Sequence, residues 1–166
     1  MTRIVSRFPL PPMSLGTERH LTVHAYGDPD AHPKAYVQAG LHAGELPGLL
    51  VLHHLIRRLD AGEDPILGQI VLVPVANPIG QSQLLRGQMI GRTSLADGTN
   101  FNREYPDLAT AVGDAVAGRL GKDSETNVAL IRDVFGEILA DQAAHAEGEG
   151  AYLRLTLMRL ACDADI

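Results

Sequence analysis

Residues 39–48 read AGLHAGELPG, and they set a histidine, His42, three positions before a glutamate, Glu45, among small residues. In a tight turn an i, i+3 pair can point the same way, so an imidazole nitrogen and a carboxylate oxygen could share one divalent cation. Zinc suits such a pair: it accepts nitrogen and oxygen ligands at about 2.0–2.2 Å and, in catalytic sites, keeps a position open for water. Gly40, Ala43 and Gly44 leave room for it. A plainer reading stands beside this one, in which His42 is a loop histidine and Glu45 is favoured near a helix N-terminus by the macrodipole. H-x-x-E fixes too few positions to choose between them.

Two asparagine-bearing stretches follow, Asn77-Pro78-Ile79-Gly80 and Asn100-Phe101-Asn102-Arg103-Glu104-Tyr105-Pro106. Asn102 beside Arg103 suits carboxylate recognition, because the guanidinium makes a planar two-point contact and the amide adds a donor. Alternatively Asn102 caps a turn and Arg103 is a solvated charge. The single cysteine, Cys162, cannot form an internal disulfide or a thiolate cage, so any metal must use imidazoles and carboxylates. There is no G-x-S-x-G elbow and no phosphate-binding glycine loop.

These residues need elements to position them. Residues 19–26 alternate His20, Thr22 and His24 with Leu21, Val23 and Ala25, the period of a half-buried strand, and residues 3–8 form a weaker strand candidate. The turn Gly27-Asp28-Pro29-Asp30 leads into a strand over 34–41, and the three are expected to form an antiparallel edge. Leu49, Leu50, Leu52, Leu55, Ile56 and Leu59 predict a helix over 45–60, with Pro47 in its first turn and an end near Gly62. Residues 70–76 (IVLVPVA) read as a buried strand, Pro74 marking an irregularity or an edge. Strand, helix, strand is a βαβ unit, which places both His42 and Asn77 at the carboxyl ends of strands, where open α/β sheets bind ligands. Residues 77–123 are loop-rich, a feature usually tied to function at such length. Helices are predicted over 125–144, capped by Ser124, and over 152–162 after a Gly148-Glu149-Gly150 break. Residues 164–166 resemble the start of another strand. The resulting expectation is one α/β domain over 1–166, with a mixed, mostly parallel sheet and flanking helices.

Bulk properties narrow the partners. A net charge of −6, with no basic cluster beyond Arg57-Arg58, argues against nucleic acid and anionic membranes. No apolar run approaches the ~20 residues of a membrane helix, and residues 1–12 do not form a signal peptide, so a cytoplasmic location is expected.

H-x-x-E after one strand, N-P-x-G after the next and N-F-N-R further along, in that order, resemble the zinc carboxypeptidase superfamily. Within it the chain is most similar to the succinylglutamate desuccinylase/aspartoacylase family, from about residue 35 to residue 106 and, in helix pattern, to the end. The resemblance implies that His42 and Glu45 are zinc ligands and that Asn102 and Arg103 hold the substrate's carboxylate. It also implies an arginine that polarises the scissile carbonyl, Arg92 by preference and Arg86 as second choice. The implied activity is zinc-dependent hydrolysis of the amide bond of N-acyl amino acids or related small carboxylates. A peptide carboxypeptidase, or a binding or assembly module that has lost its metal, are the alternatives. The family's third zinc ligand, a histidine of a D-x-H-type strand, and its later general-base glutamate have no counterpart here. The chain therefore resembles the N-terminal portion of a catalytic domain, apparently truncated. It is expected to bind zinc weakly and be inactive on its own, with an open edge whose apolar surface a second copy of the chain or crystal neighbours would cover. His20, His24, His53, His54 and His145 are the candidates for a replacement ligand.

Overall fold

The computed structural model of the protein describes residues 3–62 and 65–166; Met1 and Thr2, part of the segment read above as no signal peptide, lie outside the described residues. Four strands, β1 (Ile4–Pro9), β2 (His20–Gly27), β3 (Lys34–Gln38) and β4 (Gln69–Val73), form one sheet in the order β1-β2-β4-β3. Helix α1 (Leu46–Ala61) connects β3 to β4. Beyond β4 come a single turn, α2 (Pro78–Gln81), a hairpin of β5 (Leu84–Leu85) and β6 (Gln88–Met89), then α3 (Ala109–Val116), α4 (Ser124–Ala144) and α5 (Glu149–Cys162).

The alternation of β2 decides the layering. Leu21 and Val23 point to one face and pack with Val73, Ala76, Ile79, Phe101, Leu153 and Leu157, joining the sheet to α5. Tyr26 points to the other face and packs with Leu52, Leu59 and Leu72 under α1. β4 is buried on both faces, which explains its unbroken apolar run. A third cluster, Leu108, Val112, Val116, Val134, Leu139 and Leu155, holds α3 and α4 against the outside of α5. No described helix is long and apolar enough to cross a membrane.

The expected mixed α/β architecture is present, but its parallel majority is not. β1–β2 and β2–β4 pair antiparallel, and only β3–β4 is parallel. A parallel pair needs a crossover connection, and α1 is the one described helix that links two neighbouring strands of this sheet. Nor do the first three strands form one antiparallel edge, because β4 lies between β2 and β3. Pro74 stands just past the end of β4 and stops this inner strand, since a proline has no N–H to give the ladder. At α4 the cap is Asp123 rather than Ser124: its carboxylate accepts from the Thr126 N–H at 2.8 Å. The break before α5 is confined to Gly148 (φ 85°), and Glu149, buried in the first turn, meets Arg19 Nη1 at 2.7 and 2.8 Å.

The last residues lie along the outer edge of β3. Ile166 N–H donates to Lys34 O at 3.2 Å and Tyr36 N–H donates to Ile166 O at 2.8 Å, the pattern of a parallel bridge. The Asp165 carboxylate fixes this contact, accepting from His32 Nδ1 at 2.7 Å, Arg132 Nη2 at 2.7 Å and the Lys34 N–H at 2.6 Å. Those three partners, His32 foremost, hold its pKa well below the ordinary 3.8. The unfolded chain therefore takes up this proton first, so the group's stabilisation is complete above 3.8 and is lost as pH falls through and below that value. Thermal melts of wild type and Asp165→Asn are expected to differ most near neutral pH and to converge as the solution is acidified below roughly pH 4. A constant gap across that range would show that the carboxylate's charge is not what holds the edge.

Candidate active site

The turn after β3 is built by the turn after β4. Ala39 N–H donates to Val73 O at 3.0 Å, and Ala76 N–H returns to Ala39 O at 2.8 Å. Asn77, wholly buried, clamps the two: its Nδ2 donates to Leu41 O at 2.8 Å and its Oδ1 accepts from Gly80 N–H at 2.8 Å. Gln81 Nε2 adds a bond to Ala43 O at 2.9 Å. The asparagine of N-P-x-G is thus scaffold for the H-x-x-E turn, and burial of its amide requires these partners. The long loop closes over the same turn, Ala43 N–H donating to Gly91 O at 2.9 Å.

On this frame His42 is buried and the side chain of Glu45 is about two-thirds exposed, with His42 Nδ1 3.0 Å from Glu45 Oε1. Arg92 comes from the long loop and sets Nη1 3.4 Å from His42 Nδ1 and 3.7 Å from Glu45 Oε1. Both Arg92 and Glu45 are largely in solvent, so their ion pair by itself contributes little to stability. Arg92 is therefore held loosely and can turn toward a ligand. Arg86 sits at the first central position of the β5–β6 turn with φ 51°, and Arg92, not Arg86, is the arginine in contact with His42.

Asn102 and Arg103 lie on the exposed turn that follows the buried Phe101. The guanidinium of Arg103 folds back, Nη1 donating to Asn102 O at 2.7 Å. What ties this turn to His42 is Asn100, the first residue of N-F-N-R, to which the motif assigns no role. Its Oδ1 stands 2.9 Å from His42 Nε2 and also accepts from the Asn102 N–H at 2.9 Å. The Asn-x-Asn spacing is a local signal for the second bond, an Asx turn, but not for the first.

Among the described residues no three His, Cys, Asp or Glu side chains converge on a metal position, so none of His20, His24, His53, His54 or His145 completes a set with His42 and Glu45. His24 lies instead in a hollow with Arg3, His53 and Asp60, where burial and Arg3 lower its pKa.

Comparison with known proteins identifies relatives of the chain. A family model, the succinylglutamate desuccinylase/aspartoacylase catalytic domain, matches residues 31–135, which include every residue of the cluster. A structure of succinylglutamate desuccinylase/aspartoacylase type from Shewanella frigidimarina NCIMB 400 superposes with a TM-score of 0.86 at 26% identity, over 98% of this chain and 44% of that one. A second, a family protein from Shewanella amazonensis SB2B, gives a TM-score of 0.82 at 28% identity, over 99% of this chain and 45% of that one. No curated protein matches. With more than half its length matched and a turn that gathers His42, Glu45, Arg92 and Asn100, the chain belongs to the succinylglutamate desuccinylase/aspartoacylase family, spanning less than half the length of those solved structures.

Proposed function

We propose that the protein is a zinc-dependent deacylase, hydrolysing the amide bond of N-acyl amino acids or related small carboxylates, and that this chain supplies two metal ligands and the substrate's anchor. The observation that carries the reading is the surroundings of His42. Its Nδ1 faces a carboxylate oxygen at 3.0 Å and its Nε2 an amide oxygen at 2.9 Å. Turning the Asn100 NH2 group to the ring instead would break the Asx turn, because the same oxygen accepts the Asn102 N–H. A neutral imidazole has one N–H and so satisfies one of two facing acceptors. A cation that accepts lone pairs from Nδ1 and Glu45 leaves the ring proton on Nε2 for Asn100, the usual support of a metal-bound histidine. A zinc titration tests this reading directly.

When bound, zinc supplies Lewis acidity, polarising an acyl carbonyl and acidifying a water molecule. The chain's own residues divide the remaining work. Arg92, beside both ligands, stabilises negative charge gathering on the acyl oxygen. Asn102 and Arg103 bind the carboxylate and so hold the amide at the reacting position. A third ligand and a proton-moving carboxylate, which the described residues do not bring to His42, would complete the site.

Turnover of N-succinylglutamate and N-acetylaspartate, lost on chelation and restored by zinc, is the expected result for the protein as encoded. Cleavage of short peptides alone would make it a carboxypeptidase. Arg103→Ala is expected to raise KM roughly 10–150-fold, the weight of about 1.5–3 kcal/mol for hydrogen bonds to a charged group, with a smaller change in kcat. An unchanged KM would assign Arg103 to the solvated surface.

A further inference from the structure

The shared acceptor in this cluster has a consequence beyond holding a ring. We infer that Asn100 is a positioning residue that couples metal occupancy at His42 to the conformation of the carboxylate anchor Asn102-Arg103, an inference that rests on the metal reading of His42. One oxygen, Asn100 Oδ1, accepts from both His42 Nε2 and the Asn102 N–H, each at 2.9 Å. The Asn100 carbonyl accepts the Arg103 N–H at 3.0 Å, so all three bonds draw on one residue.

The coupling follows from which nitrogen carries the ring proton. With a cation on Nδ1, the proton is confined to Nε2, and Asn100 Oδ1 receives two donors. Without the cation, the tautomer protonated on Nδ1 becomes available, since the Glu45 carboxylate lies 3.0 Å away to accept it and the exposed Arg92, whose Nη1 donor stands 3.4 Å from Nδ1, can swing clear. In that tautomer Nε2 is a lone pair facing an oxygen. Relief requires the Asn100 amide to turn its NH2 to the ring, which points a donor at the Asn102 N–H and breaks the Asx turn. Asn100 thus has two amide orientations, one favoured by metal and compatible with the ordered anchor, the other incompatible with it. Linkage then makes the effect reciprocal: whatever orders the anchor also favours the metal-ready tautomer.

The test uses the protein as encoded, with zinc alone as the probe. Amide hydrogen exchange at Asn102 and Arg103 should slow when zinc is added to wild type, and 15N shifts of His42 should report a single tautomer protonated on Nε2. Asn100→Leu should lower zinc affinity about 10–100-fold, as loss of a ligand's hydrogen-bond partner does, and should abolish the zinc-dependent slowing at Asn102. Asn100→Asp, which keeps both acceptor bonds but has no NH2 to turn, should restore zinc affinity while holding exchange at Asn102 slow with or without zinc, a split that a purely structural role would not produce. Wild-type protein that takes up zinc while exchange at Asn102 is unaltered overturns the coupling and leaves the deacylase reading intact. Wild-type protein that takes up no zinc overturns that reading itself. Should Asn100→Leu fail to fold, the wild-type exchange comparison still decides.

Discussion

Replacing Arg92 by alanine is expected to lower kcat for an N-acyl amino acid about 10²–10³-fold while KM changes little, the effect of removing one donor aimed at a developing oxyanion. The split between the two constants is the informative part. A guanidinium that only bound the ground state would raise KM, and one that only packed would lower stability. Arg92 packs little: its side chain is about two-thirds exposed, and its contacts are with His42 and Glu45 at 3.4 and 3.7 Å. The melting temperature of the variant should therefore stay close to that of wild type. Lysine at this position retains charge without the planar fork and should recover part of the rate. An alanine variant with wild-type kcat would remove Arg92 from the chemistry and return attention to Arg86.

Gly91→Ala is expected to disable the site from one residue away. An added Cβ would lie 2.6 Å from the Cβ of Ala43, 3.0 Å from its Cα and 3.0 Å from the Gly44 nitrogen. Those are main-chain and short-side-chain atoms that cannot rotate clear, so the loop must lift off the H-x-x-E turn. The bond from Ala43 N–H to Gly91 O goes with it, and Arg92 moves away from His42. Overpacking of this kind costs about 1–3 kcal/mol, which for a chain of this size lowers Tm by roughly 2–12 °C. Gly113→Ala is the control: it sits in α3 with open space around the added atom, and alanine favours a helix. If Gly91→Ala keeps both Tm and activity, the loop does not close over His42 in solution.

Much of this was legible from residues alone where local physics dominates. α1 begins beside Pro47 and ends at a left-handed Gly62, the two punctuation marks its sequence displays. His42 and Glu45 converge because three residues of tight turn leave them little choice. α3 was missed: at eight residues, with Gly113 inside, it is held by burial of Val112 and Val116 rather than by propensity. The β5–β6 hairpin was missed because its strands have two residues each and its turn carries Arg86 where asparagine is usual. Asn100 escaped for a different reason. Its meeting with His42 spans 58 residues, and no periodicity or cap rule reaches across that separation. The position of β3 beyond β4 is likewise a tertiary choice, made by burying β4 on both faces.

The strand order also sets a timetable. β4 is an inner strand, yet it follows β1, β2, β3 and α1 along the chain. During synthesis, β1 and β2 can pair at once, while β3 has no partner until residue 73 has emerged and β4 has slotted between two strands already made. His42 and Glu45 are thus translated well before the strand that fixes their backbone through Ala39 and Val73. Closing such distant pairs is the slow part of folding, because loop entropy is spent before the contact is gained. The cluster should accordingly be among the last regions to gain amide protection in pulse-labelled refolding, with Ala39 and Ala76 acquiring it together.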